Sequence, residues 1–278
     1  MIILLKIFLQ KYKKAFAKPH RILPFLKKFL FSKKKRIREH IYHKKLIWHF
    51  CTPKSASSYL VYLMKNSKIN TVLSLPYYGK RVQINDFFFL DQKIKKYSYS
   101  DYIYLTHTHT PFDDYLNQFI SEKHIVLIQT RNIYKSVLSL RDFIIRHNIS
   151  KPNPWVQWDY DQYSEKELLK LLIYYYVPFH VNFVKSWFEC KIKGRKIFID
   201  YESFVKDPKQ LFNEIFLDEK KDSIIIPDLK KIDKQKINYN IGLTRKNNLT
   251  DEEKKLIDDI VDVNLKYSNP LIKDIIYK

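Results

Sequence analysis

A short loop of small and polar residues is the first part of the chain that could do chemistry. The segment PKSASS at 53–58 follows the apolar run LIWHF at 46–50 and precedes the hydrophobic stretch SSYLVYLMKN. Its members are Pro53, Lys54, Ser55, Ala56, Ser57 and Ser58. Backbone N–H groups at the start of a helix, serine hydroxyls and an ammonium are together suited to bind a phosphate. The loop is therefore predicted to bind an anion, although small polar residues also form turns for conformational reasons alone.

The order of residues in this loop differs from that of the nucleoside-triphosphate P-loop. That motif reads GxxxxGK[ST], with the lysine near its end, whereas Lys54 comes near the beginning of the present loop. No Mg²⁺ ligand follows the lysine as it does in that motif. We therefore expect no metal at the site, and a P-loop-type nucleotide kinase remains an alternative.

Two further groups of polar side chains follow apolar runs. Arg131 ends the run HIVLIQT, and Ser139 lies eight residues later in a helical stretch. Because the arginine fork binds phosphate oxygens in a bidentate manner, this pair is a candidate for a second anion site. His107 and His109 follow the run YIYL. A histidine there could abstract a hydroxyl proton at neutral pH, or both could be ordinary hydrogen-bonded histidines.

The elements that must position these groups are strands that alternate with helices. Buried strands are predicted at 46–50, 102–110, 124–130 and 196–204, the second of them running into a loop. This alternation predicts an α/β fold of three layers, in which a central parallel sheet is flanked by helices on both faces. Ligands of such sheets bind beyond the carboxyl ends of the strands, where all three groups of side chains fall.

Two helices have recognisable signals in the later part of the chain. The stretch 165–189 has helical periodicity and is expected to bend or break at Pro178. On this helix Trp187 and the tyrosines at 174–176 are interpreted as packing residues. Another helix is expected after Thr250, with Glu253 three residues later completing a capping box.

Positive charge is concentrated at the beginning of the chain. Residues 1–46 hold 15 Lys and Arg against one acidic residue, and the remaining 232 residues contribute +8 to the total of +22. We therefore divide the chain into a basic amphipathic arm at 1–45 and one α/β domain at 46–278. The longest apolar stretch of the arm is five residues, far short of the roughly 20 that span a bilayer, so a cytoplasmic protein is expected. Residues 1–40 would either lie on an anionic membrane surface or cover the domain as a solvated extension.

Taken in order, the motifs resemble those of sulfotransferases that use 3′-phosphoadenosine 5′-phosphosulfate (PAPS). CTPKSASSYL is similar to the family's loop for the 5′-phosphosulfate, and RNIYKSVLS to its 3′-phosphate motif, with arginine and serine at the same spacing. THTP at 108–111, VNFVKSWFE and YESFVKDPKQLFNEI resemble further segments of the family. The resemblance extends over roughly residues 46–265 and implies a P-loop-like sulfotransferase architecture with PAPS as co-substrate and no metal.

The resemblance also implies roles for the first loop and the residue after it. Lys54 would contact the sulfonate and the bridging oxygen, and would stabilise the charge that builds on the leaving phosphate. Ser57 and Ser58 would donate to the 5′-phosphate, while Ser55 shapes the turn. Tyr59 stands where the family often has tryptophan and would stack on adenine.

The remaining roles fall on the other two groups and on the last strand. Arg131 and Ser139 would hold the 3′-phosphate, and Tyr201 would approach the base unless it is simple strand-end structure. His109 would be the general base on the acceptor hydroxyl, with His107 as the alternative base.

The sequence departs from the family pattern in two places. The family's loop glycine is Ala56 here, which requires a compatible backbone angle or a slightly different turn. The family's late Arg-Lys-Gly segment is replaced by IGLTRKNNLT, in which Gly242, Arg245 and Lys246 would supply part of the second grip on the 3′-phosphate.

The implied activity is the transfer of a sulfonate group from PAPS to a hydroxyl or amine. The acceptor would be a carbohydrate, a glycolipid or another small metabolite, and no nucleic-acid partner is expected. Besides the kinase, the alternative is a non-catalytic basic protein that binds polyanions or membranes, with the salt dependence that such binding brings.

Overall fold

Five parallel strands form the centre of the fold. The computed structural model describes residues 41–67, 69–72, 94–95, 102–146, 160–217 and 248–278. The strands are β1 (Leu46–Cys51), β2 (Asn70–Val72), β3 (Ile103–Leu105), β4 (Ile125–Thr130) and β5 (Arg195–Asp200). They are arranged in the order β2-β3-β1-β4-β5, and every neighbouring pair is parallel. All residues of β1 and β4 are buried, as expected for central strands covered on both faces.

Eight helices lie in the described part of the chain. They are α1 (Ser57–Asn66), α2 (Asp114–Asn117), α3 (Ile133–Arg146), α4 (Glu165–Glu189), α5 (Tyr201–Lys206), α6 (Pro208–Ile215), α7 (Asp251–Leu265) and α8 (Leu271–Tyr277). One face of the sheet packs against α3, α4, α7 and α8, and the other against α1, α5 and α6. Alternate residues of β1 show this division: Trp48 and Phe50 belong to the first core and Ile47 to the second. The predicted three-layer α/β fold is therefore confirmed.

The strand order places the candidate site at a reversal of the sheet. The chain moves from β1 to β2 and β3 on one side, then crosses to β4 and β5 on the other. The loop after β1 is consequently flanked by the segment after β3 and the turn after β4. Such a reversal opens a crevice at the carboxyl ends of the strands, and it brings the three polar groups of the sequence together.

Three expectations about local structure need correction. Of the two outcomes expected at Pro178, the break is wrong, because α4 continues through the proline as one helix; the buried residues on both sides of the proline hold it in place. The last strand ends at Asp200, whose side chain accepts a hydrogen bond from the Ser203 N–H and thereby starts α5, so Tyr201 is helical. The sequence patterns missed β2 and α8 altogether.

Other expectations are confirmed or lie outside the described residues. Thr250 and Glu253 form the predicted capping box at the start of α7. Residues 1–40 of the arm are outside the described part of the chain, although Ile41 is buried in the core and its carbonyl accepts a hydrogen bond from His124 Nε2. Among the described residues, no helix is both long and apolar enough to cross a membrane.

Candidate active site

The loop between β1 and α1 has an unusual backbone. Lys54 and Ala56 both have positive φ angles, 65° and 66°. Ala56 is the residue that precedes α1, in the left-handed conformation and without a side-chain cap. Ala56, which stands where the family pattern has glycine, thus adopts the left-handed backbone conformation that glycine adopts freely. A non-glycine residue in this conformation costs roughly 1–2 kcal/mol, which other contacts of the loop must offset.

Side chains hold every carbonyl of residues 52–55. Thr52 O accepts from Ser55 Oγ at 2.6 Å, Pro53 O from the Tyr176 hydroxyl at 3.1 Å, Lys54 O from Arg131 Nη1 at 3.1 Å, and Ser55 O from Gln129 Nε2 at 2.6 Å. The N–H groups of residues 54–58 have no acceptor among the described residues. Successive N–H groups left unpaired beside a helix start form an anion-binding nest.

A buried chain of polar side chains fixes the orientation of Gln129. Its Nε2 faces the Ser55 carbonyl, which can only accept, so its Oε1 faces His49 Nε2 at 2.8 Å. His49 must therefore carry its proton on Nε2, and its Nδ1 accepts from the Tyr104 hydroxyl at 2.6 Å. Burial lowers the pKa of His49 well below its usual value, with a further contribution from His107. Neutral His49 is a permanent part of the support beneath the loop.

Arg131 joins the loop to the turn after β4. Besides the bond to Lys54 O, its guanidinium lies 4.0 Å from the centre of the Tyr201 ring. Lys135 of α3 and Glu202 of α5 form an exposed ion pair at 2.7 Å, which links the helix after Arg131 to the helix that begins at Tyr201. The Arg131 Nε atom is buried and has no hydrogen-bond partner among the described residues. A buried donor of this kind normally has a partner, so a ligand oxygen is the natural one.

The Lys54 side chain lies against helix α3. Its Nζ is 4.0 Å from the centre of the Phe143 ring. Burial, together with the positive charges of Arg131 and Arg146, lowers the pKa of Lys54 to about 8. An anion bound in the loop would raise this pKa again, because it would compensate the crowded positive charge.

The segment after β3 presents His109 beside the loop. Its Nδ1 is 2.8 Å from the Cys51 carbonyl, which can only accept, so Nδ1 carries the proton and Nε2 carries the lone pair. Burial lowers the pKa of His109 to about 3, with the neighbouring His107 as the second cause. The imidazole is therefore neutral at pH 7 and able to accept a proton at Nε2.

His107 is close to both of the other histidines of this region. Its ring centre is 5.4 Å from that of His109 and 5.8 Å from that of His49. Burial lowers its pKa to about 4. The structure therefore places both candidate bases in one cluster, and the role of either as the base stays a prediction.

Helix α4 holds two of the three segments at once. Tyr176 donates to Pro53 O in the first loop, and its hydroxyl lies 3.2 Å from His180 Nδ1. Three turns later, Trp187 Nε1 donates to Thr110 O at 3.0 Å in the histidine segment. Trp187 and Tyr176 are buried as expected, whereas Tyr174 and Tyr175 are 56% and 49% exposed, so packing was the wrong interpretation for those two.

The remaining predicted residues are placed as follows. Ser57 is buried, Ser58 is exposed and Ser139 is half-buried on α3. Tyr59 is buried, with its ring centre 5.3 Å from that of Phe204. Gly242, Arg245 and Lys246 lie outside the described residues. The ligand contacts assigned to all of these residues stay predictions.

Sequence reasoning did not identify the buried residues that support the loop after β1. Gln129 and His49 stand inside the apolar runs IVLIQT and LIWHFC, and both are fully buried. A polar residue inside a buried strand is rarely without a partner, so their positions alone could have indicated a role. Phe143 and Tyr176 carried no such signal, because aromatic residues on helices usually serve as core.

Comparison with known proteins identifies the fold. No protein-family model and no curated protein sequence matches the chain. Among solved structures, the crystal structure of the mouse sulfotransferase SULT7A1 complexed with PAP is similar, with a TM-score of 0.52 and 15% sequence identity. The match covers 83% of this chain and 87% of that one. At this identity the likeness shows that the chain has a sulfotransferase-like α/β fold.

The left-handed conformation of Ala56 can be tested by substitution. We expect Ala56→Gly to raise the free energy of unfolding by about 1 kcal/mol, because relief of the left-handed strain exceeds the entropy that glycine loses on folding. A glycine introduced two residues later, by Ser58→Gly, falls inside helix α1 and should lower the free energy of unfolding instead. Denaturant unfolding measures both; equal destabilisation by the two glycines would show that Ala56 is not strained.

The role of Gln129 gives a second stability prediction. Gln129→Leu keeps the volume but leaves the Ser55 carbonyl and the His49 N–H unpaired, so stability should fall by about 2–3 kcal/mol. Gln118→Leu, at an exposed helix end, should change it by less than about 0.5 kcal/mol. A result for Gln129→Leu as small as for the control would remove Gln129 from the support of the loop.

The neutral His109 predicts acid destabilisation. Its pKa of about 3 in the folded state lies below the ordinary value of 6.5, so the unfolded chain binds the proton first. Stability from this group is complete above pH 6.5 and is lost as the pH falls towards 3. His109→Asn keeps a donor to Cys51 O but does not titrate. Between pH 7 and 5.5 the variant should lose about 1.4 kcal/mol less than the parent; parallel pH profiles would contradict a neutral buried His109.

Proposed function

We propose that the protein is a sulfotransferase that moves a sulfonate group from PAPS to a hydroxyl or amine acceptor. The observation that carries the proposal is the direct contact of two anion-binding segments. The nest at residues 54–58 and the guanidinium of Arg131 are joined by the 3.1 Å bond from Arg131 Nη1 to Lys54 O. A ligand with two phosphate groups on one nucleoside fits this arrangement, since each segment can take one of them.

The fold supports the same nucleotide. The mouse sulfotransferase that resembles this chain was crystallised with PAP. Without a GK[ST] sequence, the loop lacks the residues with which P-loop kinases hold Mg²⁺ and the terminal phosphates, which argues for sulfonate rather than phosphoryl transfer. A PAPS donor has its sulfonate on the 5′-phosphate, the group that the nest would bind.

The chemistry then follows from the residues around the nest. His109 Nε2 takes the proton of the acceptor hydroxyl as the acceptor oxygen bonds to sulfur and the bond from sulfur to the bridging phosphate oxygen breaks. Lys54 leaves the Phe143 ring and donates to that oxygen, where negative charge builds. As in phosphoryl transfer, positioning and electrostatic stabilisation supply most of the catalysis.

Two parts of the proposal rest on the sequence. The acceptor as a carbohydrate, glycolipid or small metabolite follows from the resemblance of the motifs. Association of residues 1–40 with an anionic membrane follows from their charge and apolar pattern.

Nucleotide binding tests the proposal directly. By titration calorimetry we expect 3′,5′-adenosine bisphosphate to bind at least about tenfold more tightly than 5′-AMP, because only the former uses Arg131. Arg131→Ala should abolish this preference. Lys135→Ala, which removes an exposed cation one turn away, should preserve it. Lys54→Ala should reduce transfer from PAPS to a panel of hydroxyl acceptors far more than it weakens binding.

Two other results would contradict the proposed sulfotransferase activity. Equal, strongly salt-dependent binding of both nucleotides would identify a non-catalytic polyanion binder. Mg²⁺-dependent turnover of ATP would identify a kinase.

A further inference from the structure

The last two helices of the chain are tied to the turn that carries Arg131. We call α7 and α8 together the C-terminal hairpin. Asn132, the residue after Arg131, donates from Nδ2 to the Tyr277 carbonyl at 2.6 Å. Two residues further on, the Tyr134 hydroxyl donates to Asp258 Oδ1 at 2.5 Å, and the Tyr277 hydroxyl donates to the same oxygen at the same distance. The hairpin is thus joined to this turn and to the start of α3 by two hydrogen bonds, while the third lies within the hairpin.

These contacts form a connected polar cluster on the protein's edge. The ring centres of Tyr134 and Tyr277 are 5.3 Å apart, so the two phenols pack together while sharing one carboxylate oxygen. Burial and the Asp258 carboxylate together raise the pKa of Tyr134 to about 12, and the same two causes raise the pKa of Tyr277. Both phenols therefore stay protonated and remain donors across the physiological range of pH. Hydrogen bonds to a charged acceptor are the stronger kind.

The cluster is connected to the backbone of Arg131 through the next residue, Asn132. Asn132 uses its two side-chain atoms differently: Nδ2 holds Tyr277, while Oδ1 accepts from the Lys135 N–H at 3.2 Å and starts α3. Ser136 Oγ lies 3.4 Å from the Arg131 carbonyl. Among the described residues, the contacts of the guanidinium itself are with Lys54 O and the Tyr201 ring. The position of the guanidinium thus depends on where the hairpin holds the turn.

We propose that Tyr134, Asp258 and Tyr277 are positioning residues for the 3′-phosphate, an inference that rests on the proposed function. They touch no nucleotide themselves; they fix the turn so that Arg131 Nε, which has no hydrogen-bond partner among the described residues, meets the phosphate. A displacement of about 1 Å is enough to weaken a bidentate contact. The hairpin therefore makes selectivity for a 3′-phosphorylated nucleotide depend on residues far along the chain.

The apolar part of the hairpin separates this role from folding. Ile257, Val261, Ile272 and Ile276 are fully buried against the core. Loss of one polar group at the cluster leaves this packing intact, so variants with single polar changes should keep the hairpin docked.

The test compares Asp258→Ala with two matched variants. Asp258→Asn keeps an oxygen that can accept from both phenols, and Asp259→Ala removes the next carboxylate, which pairs only with the exposed Lys255 among the described residues. Calorimetry with 3′,5′-adenosine bisphosphate and 5′-AMP is the first measurement. We expect Asp258→Ala to weaken the bisphosphate about fivefold or more, with 5′-AMP changed less than about twofold. The other two variants should stay within about twofold of the parent for both nucleotides.

Hydrogen exchange provides the second measurement. The Ser136 N–H donates to Asn132 O at 2.9 Å and reports on the order of the turn. It should exchange faster in Asp258→Ala than in the parent, and not in Asp259→Ala. Unchanged nucleotide preference, or equal weakening of both nucleotides, would overturn the inference even if exchange changes. If the parent does not bind the bisphosphate more tightly than 5′-AMP, the proposed function itself is overturned. If exchange of the Ser136 N–H is also unchanged in Asp258→Ala, the hairpin does not order the turn.

Discussion

The carbonyl groups of residues 52–55 and the side chains that hold them are the constraint on which the rest of the site depends. A backbone loop can offer an anion either its N–H groups or its carbonyls, and repulsion from carbonyl oxygens would close the site to phosphate. Four side chains hold the carbonyls, from Ser55, Gln129, Arg131 and Tyr176. They come from the loop itself, from β4, from the turn after β4 and from helix α4, so the conformation of the loop is set by β4 and α4 together.

This constraint also explains why the loop tolerates alanine in place of glycine. The left-handed angles at Lys54 and Ala56 are unfavourable by themselves. Each hydrogen bond to a carbonyl contributes about 1 kcal/mol, and together they offset the strain at the two residues. The same contacts connect the geometry of the loop to the core, so a change at buried Gln129 or His49 would alter the loop although neither side chain belongs to it.

The charged and titratable groups around Lys54 favour a negatively charged ligand. Lys54 has two cations, Arg131 and Arg146, among the causes of its lowered pKa, and no carboxylate is among them. The three histidines nearby, His49, His107 and His109, all have pKa values lowered by burial and are neutral. A doubly phosphorylated ligand would relieve the repulsion between cations, and it would meet no competing acid among these contacts.

The sequence by itself determined the alternation of strands and helices and the order of the motifs. Buried parallel strands are apolar runs whatever their neighbours, so the α/β class could be read from LIWHFC and IVLIQT. It also located the polar groups at strand ends, because each follows its apolar run directly. Local chemistry was enough for the capping box at Thr250 and Glu253, since all of its contacts lie within one turn.

Only the tertiary structure decided which side chains meet. The bond from Arg131 to Lys54 O spans 77 residues, and the one from Asn132 to Tyr277 O spans 145. No local pattern contains such a pairing, because it depends on the strand order and on how the helices pack. For the same reason the continuity of α4 through Pro178 and the left-handed alanine could not be predicted, since in both places tertiary contacts outweigh the local preference of the chain.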